Sequence, residues 1–289
     1  MNIALLSVIH PNALPYFNEF LNSLVDQTCK DFTLFLLNDG VSNIEEKIHK
    51  FDLNILLKNL SGMPSAIRKA GIEWVLLQGA DIIIFTDTDD YFMDNRVEVS
   101  KSMLSSYDII FNELIIIGEN IRQPILMLEQ RFKEDTELSI DNIKYSNCMG
   151  LSNTAINTKS VTKSLSQIPD DIIAFDWAFF SLCLHEGTKT VFTNKTATYY
   201  RQYENNISSP QSFSEDQILR GVQVKRDHYR FVSRFFNKYE SITNEFDKLF
   251  ERVNTDTTLR VKYCHEVKNQ APKLPLWWES IKTLEELGL

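Results

Sequence analysis

Between Ile82 and Phe92 the chain reads IIIFTDTDDYF, an apolar run that ends in aspartates and threonines before a tight turn. Carboxylates at this density are hard oxygen ligands. They suit Mg2+ or Mn2+, cations that take one or two carboxylates and complete their shell with water and phosphate oxygens. A strand that delivers Asp87, Thr88 and Asp89 to the carboxyl edge of a parallel sheet would set them where open α/β sheets bind nucleotides. The implied chemistry is metal-assisted handling of a diphosphate. By itself the cluster reads more readily as a polar turn, because Asp and Thr are common turn residues. The elements around it must decide.

Those elements alternate in the first hundred residues. Ile3 to Val8 is a short apolar run of the kind found in a strand covered on both faces, and Leu14, Phe17, Leu21 and Leu24 make one helical stripe. Phe32 to Leu37 reads as a second strand ending at Asn38-Asp39-Gly40, and Asn54 to Leu57 as a third. Pro64 opens a helix whose apolar face is expected at Ile67, Ala70, Trp74 and Leu77. Ile82 to Thr86 is the fourth strand. Such alternation implies parallel strands, right-handed crossovers and a ligand beyond the strands' carboxyl ends, where Asn38-Asp39 and Asp87 to Asp90 both fall. Later, Val97 to Leu104 reads as helix and Asp108 to Ile117 as strand or hairpin, while Glu119 to Tyr145 shows no clear period. The run DWAFFSLCLHEG from Asp176 predicts a helix closed by Gly187, and VFTN and TATYYR predict two strands. Past Pro210 the chain turns to charged and aromatic helices, then to a tail with Pro272, Pro275, Trp277 and Trp278.

Composition bounds the rest. A chain of 289 residues, 43% apolar and 24% charged, can bury a large core, and a net charge of -9 argues against nucleic acid as a partner. Cys29, Cys148, Cys183 and Cys264 are far apart and without zinc spacing, so reduced thiols are expected. The opening MNIALLSVIHPN lacks a basic flank and cleavage site, and no run reaches membrane-spanning length, which predicts a cytoplasmic protein. Trp277-Trp278 beside Lys273 is the candidate for peripheral contact with the inner face of a membrane, against docking on the catalytic domain as the default. His10, His49, His185, His228 and His265 are scattered and read as surface or packing residues. Phe231, Phe235 and Phe236 read as core or dimer contacts.

From Ser7 through Asp90 the order of motifs resembles the nucleotide-binding half of family 2 glycosyltransferases, which have the glycosyltransferase A fold. SVIHP at Ser7 is similar to their first strand and proline turn, and SLVDQTCKDFTLFLLNDGVSN at Ser23 to their helix, turn, second strand and acidic-glycine loop. PSAIRKAGI at Pro64 is similar to their helix with an arginine before Gly-Ile, and the DxD strand follows. AFDWAFF around Asp176 and YYRQYENNIS at Tyr199 resemble their later helix start and strand-loop signature. The match spans roughly residues 3 to 208. It implies an α/β, Rossmann-like fold with a mixed, mainly parallel central sheet and a C-terminal helical extension, divided into residues 1–100 for the donor, 101–212 for the acceptor and 213–289 for the extension. It also implies roles: Pro11, Asn38 and Asp39 along the nucleoside, Arg68 on the nucleotide, Asp87 at the ribose or metal shell, Asp89 on Mn2+ or Mg2+, and Asp176 as the general base.

The chain departs from the family's pattern at several places. Asn38 replaces an aspartate that would accept from a uracil ring N–H, and since an amide can accept or donate, a CDP-linked donor stands beside a UDP-sugar. Ala13 and Leu14, Phe175 and Tyr203 stand where relatives carry Tyr and Asn, Glu, and His. The QxxRW-type pattern of processive synthases is absent, which favours transfer of a single sugar to a glycan or lipid-linked acceptor in surface polysaccharide synthesis. A phosphatase of the haloacid-dehalogenase type would need Thr or Val where Asp90 stands, and a sugar nucleotidyltransferase would need a Gly-rich basic opening loop. A non-catalytic relative that binds nucleotide or a partner is the alternative.

Overall fold

The computed structural model describes residues 1–118, 121, 123–202, 214–270 and 277–289, without the side chains of 277 and 278. Expectations resting on Glu119, Tyr203 and the remainder of its signature, Lys273, the tail prolines and the paired tryptophan rings lie outside the described residues. Two compact units emerge: Met1–Ile143, Asn147–Asp171 and Phe175–Arg201 form the first, and Lys144–Ser146, Ile172–Ala174 and Gln202–Leu289 the second.

In the first unit, β1 (Ile3–Ile9), β2 (Thr33–Asn38), β3 (Ile55–Asn59) and β4 (Ile82–Phe85) run parallel in the order β3-β2-β1-β4. The helices between them are α1 (Phe17–Val25), entered through a 3₁₀ turn at Pro11–Tyr16, α2 (Ile44–Ile48) and α3 (Pro64–Leu77). After β4 come β5 (Tyr91–Phe92), α4 (Arg96–Met103), β6 (Ile109–Gly118), β7 (Ile125–Leu126), β8 (Glu137–Leu138), β9 (Thr154–Asn157), α5 (Phe175–His185) and β10 (Thr190–Gln202). The sheet continues from β4 through β9, β6, β10 and β5, with antiparallel pairing at β4–β9, β9–β6 and β10–β5, so it is mixed.

Both faces of β1, β2 and β4 are covered, which is why they are apolar without alternation, whereas the edge strand β3 stays partly exposed. Leu5, Leu34, Leu36 and Ile84 pack with Phe17, Phe20, Leu21 and Leu24 of α1, Ile44 and Ile48 of α2, and Val97 of α4. On the other face, Phe35 meets Trp74 of α3 edge to face at 4.9 Å, and Phe85 meets Phe179 and Phe180 of α5, each at 6.1 Å. The apolar face of α3 is rotated from the expected one: Ile67, Gly71, Ile72 and Val75 are buried, while Leu77 is 83% exposed. The reason is Gly71. A Cβ there would stand 2.6 Å from a methyl of Leu37 and 3.2 Å from one of Leu6, so the bare glycine is what lets the helix lie against the sheet.

Two other expectations change. VFTN and TATYYR are one strand, β10, whose outward Asn194-Lys195 interrupts the apolar pattern without breaking the ladder. There the Asn194 N–H donates to Glu134 Oε2 at 2.6 Å, and Lys195 pairs with Glu134 at 3.0 Å. The aperiodic stretch after β6 is organised by a buried carboxylate. Glu113 accepts from the backbone N–H groups of Leu114 at 2.8 Å, Met127 at 2.9 Å, Leu128 at 2.7 Å and also Glu129. A charge-assisted cradle of this kind leaves no hydrophobic period to read.

The second unit holds α6 (Glu215–Val232), α7 (Glu240–Thr255) and α8 (Thr257–Gln270). A capping box between Ser214 and Gln217 starts α6, and Tyr229 packs on Phe246 at 5.1 Å, with Phe231 and Phe236 buried in the same unit. The tail is tied back: Lys225 Nζ donates to the Ile281 carbonyl at 2.6 Å and the Tyr263 hydroxyl to the Lys282 carbonyl at 2.8 Å. Among the described residues the cysteines form no disulfide, and no helix is long and apolar enough to cross a membrane.

Overpacking at the α3 contact is directly testable. Gly71→Val should lower unfolding stability by roughly 1–3 kcal/mol, whereas Leu77→Glu should change it by less than about 0.5 kcal/mol. Urea unfolding of both variants measures this, and equal midpoints would contradict the close approach at Gly71.

Candidate active site

The carboxyl ends of β2, β1 and β4 lie side by side, with Ile9 of β1 paired to Asn38 of β2. Backbone bonds carry this alignment past the strands: the Asp39 N–H donates to the Ile9 carbonyl at 2.8 Å and the Thr86 N–H to the Leu6 carbonyl at 3.1 Å. The Thr88 hydroxyl donates to the Val8 carbonyl at 2.9 Å. Asp39, the turn begun by the exposed Pro11, and the Asp87–Asp90 segment therefore share one sheet edge. Gly40 completes the first loop with φ +85, a conformation that L side chains rarely adopt.

Within the acidic segment the residues alternate. Thr88 and Asp90 are 1% and 2% exposed, whereas Asp87 and Asp89 are only half-buried. Thr88 anchors to β1. Asp90 Oδ1 accepts from the Arg201 N–H at 2.8 Å, and Asp90 Oδ2 accepts from the Ser152 hydroxyl. The period of two that faces one pair inward leaves the other pair, Asp87 and Asp89, at the edge.

Packing brings Asp176 to the same place. Phe85, two residues before Asp87, contacts Phe179 and Phe180 one turn beyond Asp176, and Phe175 stacks on Phe179 at 5.8 Å. Phe175 is thus a core residue. Lys69 of α3 steadies the approach by donating to the Ile168 carbonyl at 3.0 Å and pairing with Asp170. At the start of α5, Asp176 Oδ1 accepts from the Trp177 N–H at 2.8 Å, an N-terminal position that favours a carboxylate.

Arg68 is the charge shared by these groups. It lines a cavity of about 20 Å3 with Asp87, Leu6, Leu37, Phe85 and Leu151, and its field acts on both Asp87 and Asp176. Burial raises the Asp87 carboxyl to about 6, opposed by Arg68 and assisted by repulsion from Asp89 and Asp176. Asp176 is also raised by burial, with Arg68, the Trp177 amide and Asn147 pulling the other way. Asp90 is pushed well above the usual range by burial and by Asp89 and Asp87. Burial is the main reason each of these carboxyls resists ionisation.

Two half-buried carboxylates at one sheet edge suit a divalent cation at Asp87 and Asp89. Among the described residues no group of three or more His, Cys, Asp or Glu is arranged to hold a metal, so phosphate oxygens would have to share the coordination, as is usual for Mg2+. Asn38 lies along the edge but its amide is engaged in the loop: Nδ2 donates to the Val41 carbonyl at 2.9 Å and to Asn59 Oδ1 at 2.8 Å, and Oδ1 accepts from the Val41 N–H at 2.9 Å. Arg68, Asp87, Asp89 and Asp176 form the central group, with Pro11 and Asp39 beside it.

Two arginines escape a motif reading. Arg96, 1% exposed, donates to the Phe85 carbonyl at 2.9 Å and also to the Ser152 carbonyl and the Thr198 hydroxyl. Burial pulls its guanidinium down to about 9, against the opposing pull of Asp90 and Asp87. Arg201 Nε donates to the Asp89 carbonyl at 2.9 Å, with its guanidinium over Tyr16 at 4.5 Å and paired to Glu19. The signal available in the sequence was the need of three clustered aspartates for counter-charges, but nothing in the spacing says which arginines supply them.

Comparison with known proteins identifies a family and a fold. Residues 8–150 match the family described as Glycosyl transferase family 2. No curated protein matches the chain by sequence. Among solved structures, S. aureus TarS 1-349 in complex with UDP-GlcNAc is 17% identical with a TM-score of 0.63, over 93% of this chain and 78% of that one. The mannosyltransferase PcManGT from Pyrobaculum calidifontis, in complex with GDP-Man and Mn2+, is 11% identical with a TM-score of 0.56, over 95% of this chain and 76% of that one. These likenesses show the fold, that of the glycosyltransferase A class.

The raised carboxyl of Asp87 has a stability consequence. Its contribution is fully present below the ordinary value of 3.8 and is lost as pH rises through about 6. In metal-free buffer Asp87→Asn should therefore match wild type in acid and exceed it near neutrality, by roughly 1–2 kcal/mol after allowance for partial exposure. Urea midpoints on both sides of this window measure the difference, and a constant offset across pH would show that Asp87 is not strained.

Proposed function

The chain belongs to glycosyltransferase family 2, and we propose that it moves one sugar from a nucleotide-sugar donor to a hydroxyl of a glycan or lipid-linked acceptor, with inversion at the anomeric carbon. The observation that carries this reading is the position of Arg68, whose field reaches both the strand-end carboxylate Asp87 and the helix-start carboxylate Asp176. A donor diphosphate needs the first neighbourhood and an acceptor hydroxyl the second.

The roles follow from the chemistry of each group. Pro11 and Asp39 border the nucleoside, with Asn38 shaping the loop. Asp87 and Asp89 would hold Mn2+ or Mg2+, and when bound that cation supplies positive charge to the diphosphate. Arg68 adds a fixed charge to the same oxygens, whose negative charge grows as the sugar–phosphate bond breaks. Asp176 accepts the proton of the acceptor hydroxyl while its oxygen bonds to the anomeric carbon, and nucleoside diphosphate leaves with the electron pair. Burial suits it to this, since a carboxylate with a raised pKa is the stronger base at neutral pH. Its Oδ1 is engaged by the Trp177 amide.

The neighbours' ligands, UDP-GlcNAc in TarS and GDP-Man with Mn2+ in PcManGT, support a nucleotide-sugar donor and a divalent cation. A UDP-sugar is the first candidate and a CDP-linked donor the second. Residues 1–100 serve the donor, 101–212 the acceptor, and 213–289 form the helical extension. The setting proposed is surface polysaccharide synthesis in the cytoplasm, with peripheral contact at the inner face of the membrane.

Thermal melting against UDP, CDP and GDP, each with and without Mn2+, tests the donor reading. A nucleotide at about 100 times its dissociation constant adds roughly 2.7 kcal/mol, and Asp89→Asn should abolish the manganese-dependent part of the shift while remaining folded. Equal shifts with and without Mn2+ in both proteins would remove the metal assignment, and no shift with any nucleotide would favour a non-catalytic protein. Asp176→Asn should keep donor binding and lose about 10²–10⁴ in transfer rate; transfer at the wild-type rate would mean another base.

A further inference from the structure

Arg96 opens α4, six residues past Asp90, and is almost wholly shut off from solvent. Burying a guanidinium is costly unless hydrogen bonds and counter-charge compensate it. Here its donors go to neutral oxygens in three separate segments: the Phe85 carbonyl at the end of β4, the Ser152 carbonyl ahead of β9, and the Thr198 hydroxyl on β10. Phe92 lies beneath it, 4.6 Å from ring centre to guanidinium carbon. Ser152 continues the chain of contacts, its hydroxyl donating to Asp90, and Thr198 donates to the Ser152 carbonyl at 2.9 Å. The segment Thr86 to Phe92 is thus gripped before the acidic residues at Phe85, within them at Asp90, and after them at Phe92.

We propose that Arg96 is a positioning residue for the donor site: by joining the end of β4 to Ser152 and β10 it keeps Asp90 turned inward against the Ser152 hydroxyl and holds Asp87 and Asp89 outward for the donor. Asp90 is then no ligand, despite its place in the acidic run. A lysine cannot replace Arg96, because a single ammonium on a flexible stem does not present the planar fork that reaches three segments. This inference rests on the donor site proposed above, and its first readout is independent of that site's function.

The test is hydrogen exchange on the unliganded protein, comparing wild type, Arg96→Lys and the milder Thr198→Val, which removes one anchor without removing the charge. Arg96→Lys should speed exchange at least tenfold in peptides covering 86–93 while leaving β1 and β2 as protected as in wild type. Thr198→Val should do the same to a lesser degree. Manganese titration at fixed UDP should then require at least tenfold more Mn2+ for half-saturation in Arg96→Lys, with UDP affinity in EDTA unchanged. Unchanged exchange at 86–93, or a uniform loss of protection across the sheet, would overturn the positioning role, as would an unaltered Mn2+ requirement in a wild type that does bind. If Arg96→Lys does not fold, Thr198→Val decides by the same two criteria. Local loosening of 86–93 combined with no binding of UDP and Mn2+ by wild type would remove the donor reading and leave Arg96 as the clamp of that loop.

Discussion

Three carboxylates within four residues at the end of a buried strand repel one another, and the surroundings of β4 answer that repulsion. Arg96 meets it from inside the fold and Arg68 from the α3 side, while Arg201 holds the Asp89 carbonyl through its side chain and the Asp90 carboxylate through its backbone N–H. Alternation along the segment sorts the charges, because Thr88 and Asp90 turn inward to neutral donors and acceptors and Asp87 and Asp89 are left at the edge. Burial keeps the Asp87 carboxyl raised even beside Arg68. Such an edge is one that a cation and a diphosphate can complete, and it is held by core contacts rather than by its own stability.

The same core determines which second carboxylate joins the site. Phe85 belongs to the strand that presents Asp87, and its ring packs on the α5 phenylalanines that follow Asp176. One aromatic cluster therefore sets the spacing between the donor edge and the proposed base. Gly71 has a matching function on the other side, since close contact of α3 with Leu6 and Leu37 is what brings Arg68 to the strand ends. Positions with no chemistry of their own thus govern its geometry, since neither Phe85 nor Gly71 carries a functional group.

Much of this was legible before any coordinates. Ile3 to Val8 and Ile82 to Thr86 carry continuous apolar runs because both faces of those strands are covered, and the polar residues that end them mark the ligand edge. Asp87 and Asp89 could be singled out because a period of two is a local property of extended chain. Less legible was whatever depends on a partner distant in sequence. The face of α3 was misjudged because Leu77 is apolar yet outward, and a glycine contributes nothing to an apolar period. Asn194-Lys195 looked like a break in β10 because a polar pair in a strand resembles a turn until its neighbours are known. The stretch after β6 had no period to find, since one buried glutamate gathers it.

The amino-acid order alone determined the alternation of strand and helix, the acidic strand end and the resemblance to a glycosyltransferase family, all of which follow from short-range periodicity and motif spacing. The tertiary structure alone decided that Asn38 is engaged by its own loop, that Asp90 faces inward to the Ser152 hydroxyl and the Arg201 N–H, and that Arg96 joins Phe85, Ser152 and Thr198 within the fold. Those outcomes turn on which long-range partner satisfies a buried polar group. Many partners are compatible with one sequence pattern, and only close packing of the whole unit selects among them.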